Sequence, residues 1–403
     1  MDNLNTFQRA ARKVKEVTLP TPLVESPAFG RSTGNRVFLK PENMQRTGAY
    51  KVRGAYYKIS TLTEEERERG LITASAGNHA QGVARAAKQY GVRAVVVMPE
   101  TTPPIKISRT EALGAEVVLH GSVFDEAFAH AQQLAAEQGL TMVHPFDDVD
   151  VACGQGSVAM EIFEELPEVD IILVPIGGGG LASGVSTAAK LMNPEVKVIG
   201  VEPEGAACMK ASLEAGEVVA LPGASTIADG TAVLEPGHKV FPYIQKNLDG
   251  IITVPDEELI PAFLDMVENH KMVVENSGLL TVAALSHLPA EGKNVVAILS
   301  GGNMDVITMS NVVQLGLIAR GRIFTVSIML PDRPGGLVQV SQIVAEHSGN
   351  VIRLNHNQFA TVNRNAAVEL RVTIEAFDAQ HKERIIEALR EAGLDVREVE
   401  ASL

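Results

Sequence analysis

The chain has 403 residues, 45 % of them hydrophobic and 21 % charged, a length and mix that suit two or three globular domains with full cores. Its formal net charge of -14 excludes the broad basic face that duplex nucleic acid or an anionic membrane needs, so neither is expected as a partner. No apolar run is long enough to span a bilayer and the opening MDNLNTFQRAARKVKEV lacks an apolar leader core, so a cytoplasmic protein is expected, with Cys153 and Cys208 reduced.

Along the chain, the first informative stretch is Thr47-Gly48-Ala49-Tyr50-Lys51-Val52-Arg53-Gly54-Ala55. A surface lysine near a helix start would look the same. An amine buried among small residues and close to a cation such as Arg53 would instead keep a neutral, nucleophilic form, as a Schiff-base lysine requires. Next, Thr73-Ala74-Ser75-Ala76-Gly77-Asn78-His79 reads as a strand-to-helix junction, followed by a helix over 79–90 that Gly91 ends. Its free N–H groups could take a substrate carboxylate, or Ser75 or Asn78 could simply cap the helix.

Buried strands are expected at 94–98, 116–119, 171–175, 196–201 and 294–299, and helices at 122–137, 181–192 and 257–270. Alternation of this kind implies parallel sheets covered on both faces. The glycine run Gly177-Gly178-Gly179-Gly180, followed by Leu181 and Ala182, joins a strand to a helix, where bare backbone suits a phosphate. The same run fits a loose dinucleotide fingerprint, with Glu202 ending the next strand as a ribose-binding acid, so a dehydrogenase stays open at this point. Ser300-Gly301-Gly302-Asn303 follows another apolar strand; Ser300 could meet a ring nitrogen or cap a following helix. After a connecting helix over 305–319, the pattern becomes strand 322–330, a turn, a helix to about His347, strands 351–359 and 367–375, helix 379–391 and strand 395–400. This βαββαβ order is that of a ferredoxin-like module. The histidines show no metal-binding spacing, and no G-x-S-x-G elbow occurs.

Together these stretches resemble the fold-type-II pyridoxal-phosphate enzymes, and among them the threonine ammonia-lyases with one C-terminal ACT domain. The likeness runs from Thr21-Pro22-Leu23 and Lys40-Pro41-Glu42-Asn43, through the motifs above, to Asp332-Arg333-Pro334-Gly335-Gly336-Leu337. It implies an α/β chain: two open parallel-sheet subdomains of the tryptophan synthase β-like kind over 1–320, the smaller spanning about 51–147, then a regulatory domain over 321–403. By the same resemblance Lys51 carries pyridoxal 5'-phosphate and then serves as base. Tyr50 stands where the family's usual Ser-Phe-Lys motif has Phe, and stacks on the ring. Asn78 bonds the ring 3′ oxygen, Gly177, Gly178, Gly179, Gly180 and Leu181 hold the phosphate, and Ser300 faces the ring nitrogen. Ser75, Ala76, Gly77, Asn78 and His79 form the substrate loop. The implied reaction takes L-threonine to 2-oxobutanoate and ammonia, with L-serine to pyruvate as a side activity. Serine racemases are similar too but carry a second serine where this chain has Ala76, and Cys208 replaces an aspartate of their metal site beside Glu202, so neither racemization nor a tight metal is expected. The loop Asp332, Arg333, Pro334, Gly335, Gly336 and Leu337 would take an amino-acid effector, isoleucine first, in a homo-oligomer that is a tetramer or dimer.

Overall fold

A computed structural model describes residues 1, 3–331, 333–357 and 368–401. The chain divides into two compact units, Met1–Met304 and Asp305–Leu403. The helix Val306–Ala319 therefore belongs to the second unit rather than linking the two. Asp305 starts it, its Oδ1 accepting the amides of Ile307 and Thr308 at 3.0 and 2.9 Å.

The first unit contains strands β1 (Val24–Glu25), β2 (Arg36–Lys40), β3 (Leu71–Ala74), β4 (Ala94–Met98), β5 (Glu116–Leu119), β6 (Thr141–Met142), β7 (Ile171–Pro175), β8 (Lys197–Pro203), β9 (Gly250–Val254) and β10 (Asn294–Ile298). They form a four-stranded parallel sheet in the order β5-β4-β3-β6 and a six-stranded sheet in the order β1-β2-β10-β7-β8-β9. The larger sheet is parallel except for β1 against β2. Every residue of β4 and β7 is buried, as strands covered by helices on both faces must be. Because β10 enters between β2 and β7, the residues after β7 and after β10 leave the same edge of the sheet side by side. That edge is where open α/β sheets bind ligands.

Some elements differ from expectation. The amphipathic helix Leu4–Val14 buries Phe7, Ala10, Ala11 and Val14, and β2, flanked by Arg36 and Lys40, was hidden by its charged ends. The segment 257–270 is α-helical only over Asp256–Asp265, with Pro261 inside; a π turn, Met266–His270, then leads to Lys271 at a φ of 57°.

The second unit adds β11 (Ile323–Leu330), β12 (Asn350–Asn357), β13 (Val368–Glu375) and β14 (Asp395–Val399), an antiparallel sheet in the order β12-β13-β11-β14. Alternate residues Phe324, Val326, Ile328 and Leu330 of β11 share a core with Val340 and Val344 of the helix Gly336–Glu346 and with Ile385, Ile386 and Leu389 of the helix Ala379–Glu391. This is the expected ferredoxin-like βαββαβ module. Residues 358 and 359 of one anticipated strand, residue 367 of the next, and Asp332 lie outside the described residues.

Candidate active site

A cleft opens at the shared strand edge, where open α/β sheets place small-molecule sites. Tyr50, Lys51, Asn78, Gly177, Gly178, Gly179, Gly180, Leu181 and Ser300 all line it, together with Phe146, Glu275, Ser277 and Thr231. Tertiary pairing assembles it. Tyr50 N–H donates to the Ser300 carbonyl at 3.1 Å, Gly302 N–H to the Gly48 carbonyl at 2.8 Å, and Ala49 bridges to Gly301. The lysine loop is thereby stitched to the exit of β10, and Lys51 begins the helix Lys51–Thr61 beside Ser300.

The Lys51 Nζ donates to the Pro145 carbonyl at 2.7 Å. Burial pushes its pKa down to about 8, with the Glu275 carboxylate opposing the shift. Arg53 is not the cause, contrary to the expectation from sequence. Its guanidinium is wholly buried, donates to both Glu42 oxygens at 2.7 and 2.8 Å and to both Glu161 oxygens at 2.7 and 2.8 Å, and so has its charge spent elsewhere. Burial alone would raise the Glu161 carboxyl, but the Arg53 and Lys40 cations hold it at about 2.

The glycine run is required by shape as well as by any ligand. Gly179 has a φ of 98°, and a Cβ there would stand 2.7 Å from Ile244 Cδ1; a Cβ on Gly178 would overlap the Phe146 ring. The run delivers the chain into the buried helix Gly180–Met192, whose first-turn amides have no intrahelical acceptor and favour an anion. The dinucleotide alternative loses its acid. Glu202 is fully buried, and its two oxygens accept the amides of Met209 and Lys210, each at 2.8 Å, so it caps the helix Cys208–Ala215 instead of waiting for a ribose.

Ser300 is 5 % exposed, lines the cleft, and its hydroxyl has no hydrogen-bond partner among the described residues. It caps nothing, since the next helix starts at Val306 under Asp305. A poised amine, anion-binding backbone and an unpaired hydroxyl in one cleft fit a phosphorylated aromatic aldehyde.

Of the anticipated substrate loop, only Asn78 lines the cleft. Ser75 Oγ accepts the Gly77 amide at 3.2 Å in a local turn, Ala76 lies between them, and the His79 ring is buried, paired through Nε2 with the Val143 carbonyl at 2.9 Å. Burial, with Lys51 nearby, drops the His79 pKa to about 3, so this ring is a neutral core group, and only the first-turn backbone of His79 is left to serve the anticipated substrate loop.

Sequence reading missed Glu275, Phe146 and the role of Asn303. Asn78 Nδ2 donates to Glu275 Oε1 at 2.6 Å, Asn303 N–H donates to Glu275 Oε2 at 3.1 Å, and Asn303 Nδ2 donates to Asn78 Oδ1 at 2.7 Å. Glu275 precedes the apolar helix Asn276–Ala283 and looks locally like an ordinary first-turn acid. Burial, then the charge of Asp229, raises its carboxyl to about 7 from 4.5. It binds its proton more tightly folded than unfolded, so the associated stability is present below about pH 4.5 and lost as pH rises through about 7. In cofactor-free protein, Glu275→Gln should therefore melt increasingly above the wild type from about pH 5 to about pH 8, then keep a constant lead. A melting difference that ignores pH would show that Glu275 does not titrate in this range.

The family described as pyridoxal-phosphate dependent enzyme matches residues 14–301. An L-threonine ammonia-lyase of Thermotoga maritima is 44 % identical over 398 residues, 98 % of this chain and 99 % of the relative. Among solved structures, the processed form of threonine deaminase isoform 2 from Solanum lycopersicum is 40 % identical with a TM-score of 0.74, covering 77 % of this chain and 93 % of that one. Maize serine racemase also has a TM-score of 0.74, at 32 % identity, covering 79 % of this chain and 98 % of that one.

Proposed function

This chain belongs to the pyridoxal-phosphate-dependent enzymes, and on that premise we propose that it is a carbon–nitrogen lyase that converts L-threonine to 2-oxobutanoate and ammonia. L-Serine gives pyruvate by the same route. The observation that carries the reading is the Lys51 amine, its pKa lowered by burial to about 8, sharing one cleft with the glycine run and the unpaired Ser300 hydroxyl.

When bound, pyridoxal phosphate supplies an electron sink for the pair left at the substrate Cα. The residues of this chain do the rest. Amides at 177–181 would hold the phosphate, and Tyr50 would lie against the ring. Ser300 would meet the ring nitrogen with a neutral hydroxyl, adding no negative charge to keep that nitrogen protonated. Asn78, with its amide oriented by Glu275 and Asn303, would serve the ring 3′ oxygen. Lys51 would hold the cofactor aldehyde through its amine and, when free of it, would stand beside the substrate Cα as the general base for the α-proton. Departure of the β-hydroxyl leaves an enamine product that water converts to keto acid and ammonia. Ala76 has no side-chain acid for the opposite face, which disfavours racemization.

In the second unit, Gly335 at a φ of 99° turns the chain into the helix Gly336–Glu346, and Arg333, Pro334, Gly335, Gly336 and Leu337 form the proposed effector loop. Free amides at that helix start suit an amino-acid carboxylate, isoleucine first. The assembly is proposed to be a cytoplasmic tetramer or dimer; no helix among the described residues is long and apolar enough to cross a membrane.

Purified protein given L-threonine should release 2-oxobutanoate and ammonia in equal amounts, with isoleucine shifting the threonine saturation curve and D-serine forming far more slowly from L-serine. Absence of keto acid from threonine defeats the proposed activity. An unchanged curve with isoleucine defeats only the effector assignment.

A further inference from the structure

We propose that His144 is a positioning residue that, by organising the turn at 144–147, fixes the backbone carbonyl on which the Lys51 amine rests. The inference builds on Lys51 as the attachment lysine. The amides of Phe146 and Asp147 both donate to His144 Nδ1, at 3.3 and 2.8 Å. Both partners are donors, so Nδ1 must be bare and the ring proton must sit on Nε2. Burial, which holds the ring well below its ordinary pKa at about 4, keeps that acceptor available at neutral pH.

The turn is held on its other sides as well. The Phe146 ring meets His144 edge-on at 4.8 Å between centroids and lies against Gly178; Phe128 meets His144 edge-on at 5.3 Å. Asp147 Oδ1 accepts the amides of Lys239 and Val240 at 2.7 and 3.3 Å. One short turn after β6 thus touches the glycine run through Phe146 and the lysine through Pro145, whose carbonyl is the single hydrogen-bond partner of the Lys51 amine among the described residues. An amine whose N–H is pinned on a fixed carbonyl has its lone pair restricted in direction. The same restriction serves attachment of Lys51 to the cofactor and proton removal at Cα, because both need that lone pair aimed at one point. The mutual buttressing explains a hydrogen-bonded histidine that touches no ligand-facing surface of the cleft.

The test uses the full-length holoenzyme and two variants. In His144→Leu the Nδ1 acceptor is gone; in His144→Asn the side-chain oxygen can accept the same amides. Each protein is stripped of cofactor, given pyridoxal phosphate, and quenched with borohydride over time, and label on the Lys51 peptide is counted by mass. Attachment in His144→Leu should be slower by about tenfold or more, kcat should fall in parallel, and KM for threonine should stay within about twofold. Asparagine should recover both rates to within about threefold of wild type. Attachment in His144→Leu at the wild-type rate overturns the proposal, as does an asparagine variant as slow as leucine. Should His144→Leu fail to fold, the asparagine variant decides alone, and a tenfold loss in it overturns the proposal. Absence of label on Lys51 in wild type would sink the lysine assignment itself, whereas failure of the His144 proposal leaves wild type labelled there.

Discussion

Lys51→Ala is expected to reduce threonine deamination by about four orders of magnitude or more, because one substitution removes both the attachment point and the base. A tethered base contributes through placement as much as through basicity. Lys51 has both: a rest position 2.7 Å from the Pro145 carbonyl and a pKa brought by burial to about 8, so a usable fraction is neutral near physiological pH. The substitution removes an amine from the cleft but leaves the glycine run and its Phe146 contact in place, so cofactor should still be retained through its phosphate. Activity should therefore collapse without a matching loss of bound cofactor, and a small added amine should restore a measurable part of it. Borohydride should label Lys51 in the wild type and nothing in the variant. Residual activity above about one hundredth of wild type would mean that another group does the proton transfer.

Arg53→Met should cost about 3–5 kcal/mol of stability in the first unit, the usual consequence of removing one partner from a buried ion pair. Glu42 and Arg53 are both fully buried, and the methionine would leave the Glu42 charge with only Thr21 and Gln45 as side-chain donors. Glu161 would keep Lys40 at 2.6 Å, so the loss falls mainly on Glu42. The melting point should drop by roughly 5–15 °C. Adding Glu42→Gln should return part of the loss, since the double variant no longer buries the unpaired charge. Equal melting of Arg53→Met and wild type would show that the cluster is not a net support. The position of the cluster gives this result a second meaning. Arg53 lies in the first turn of the helix that Lys51 begins, so a loosened cluster should also raise the rate at which cofactor is lost.

Elements whose code is local are legible in the residues alone. The all-apolar runs of β4 and β7, the four glycines after β7, the strand-to-helix junction at Asn78 and the βαββαβ order after Gly321 are each written in a short window, because a buried strand, a phosphate-sized turn and a helix stop have their own periodicity or their own residues. The cleft's main lining, Lys51, Asn78, Gly177, Gly178, Gly179, Gly180, Leu181 and Ser300, was readable for the same reason.

Features that depend on distant partners emerge only in the folded chain. Arg53 looked like the cation that tunes Lys51, yet it is neutralised by Glu42 and by Glu161, more than a hundred positions away. The His79 side chain gave no sign in sequence that its ring turns to the Val143 carbonyl, 64 positions away. Glu275 and Phe146 carry no local mark at all; they matter because β10 inserts between β2 and β7 and a turn from the smaller sheet reaches the glycine run. Desolvation and charge pairing are properties of an enclosed volume, and only the folded chain encloses one.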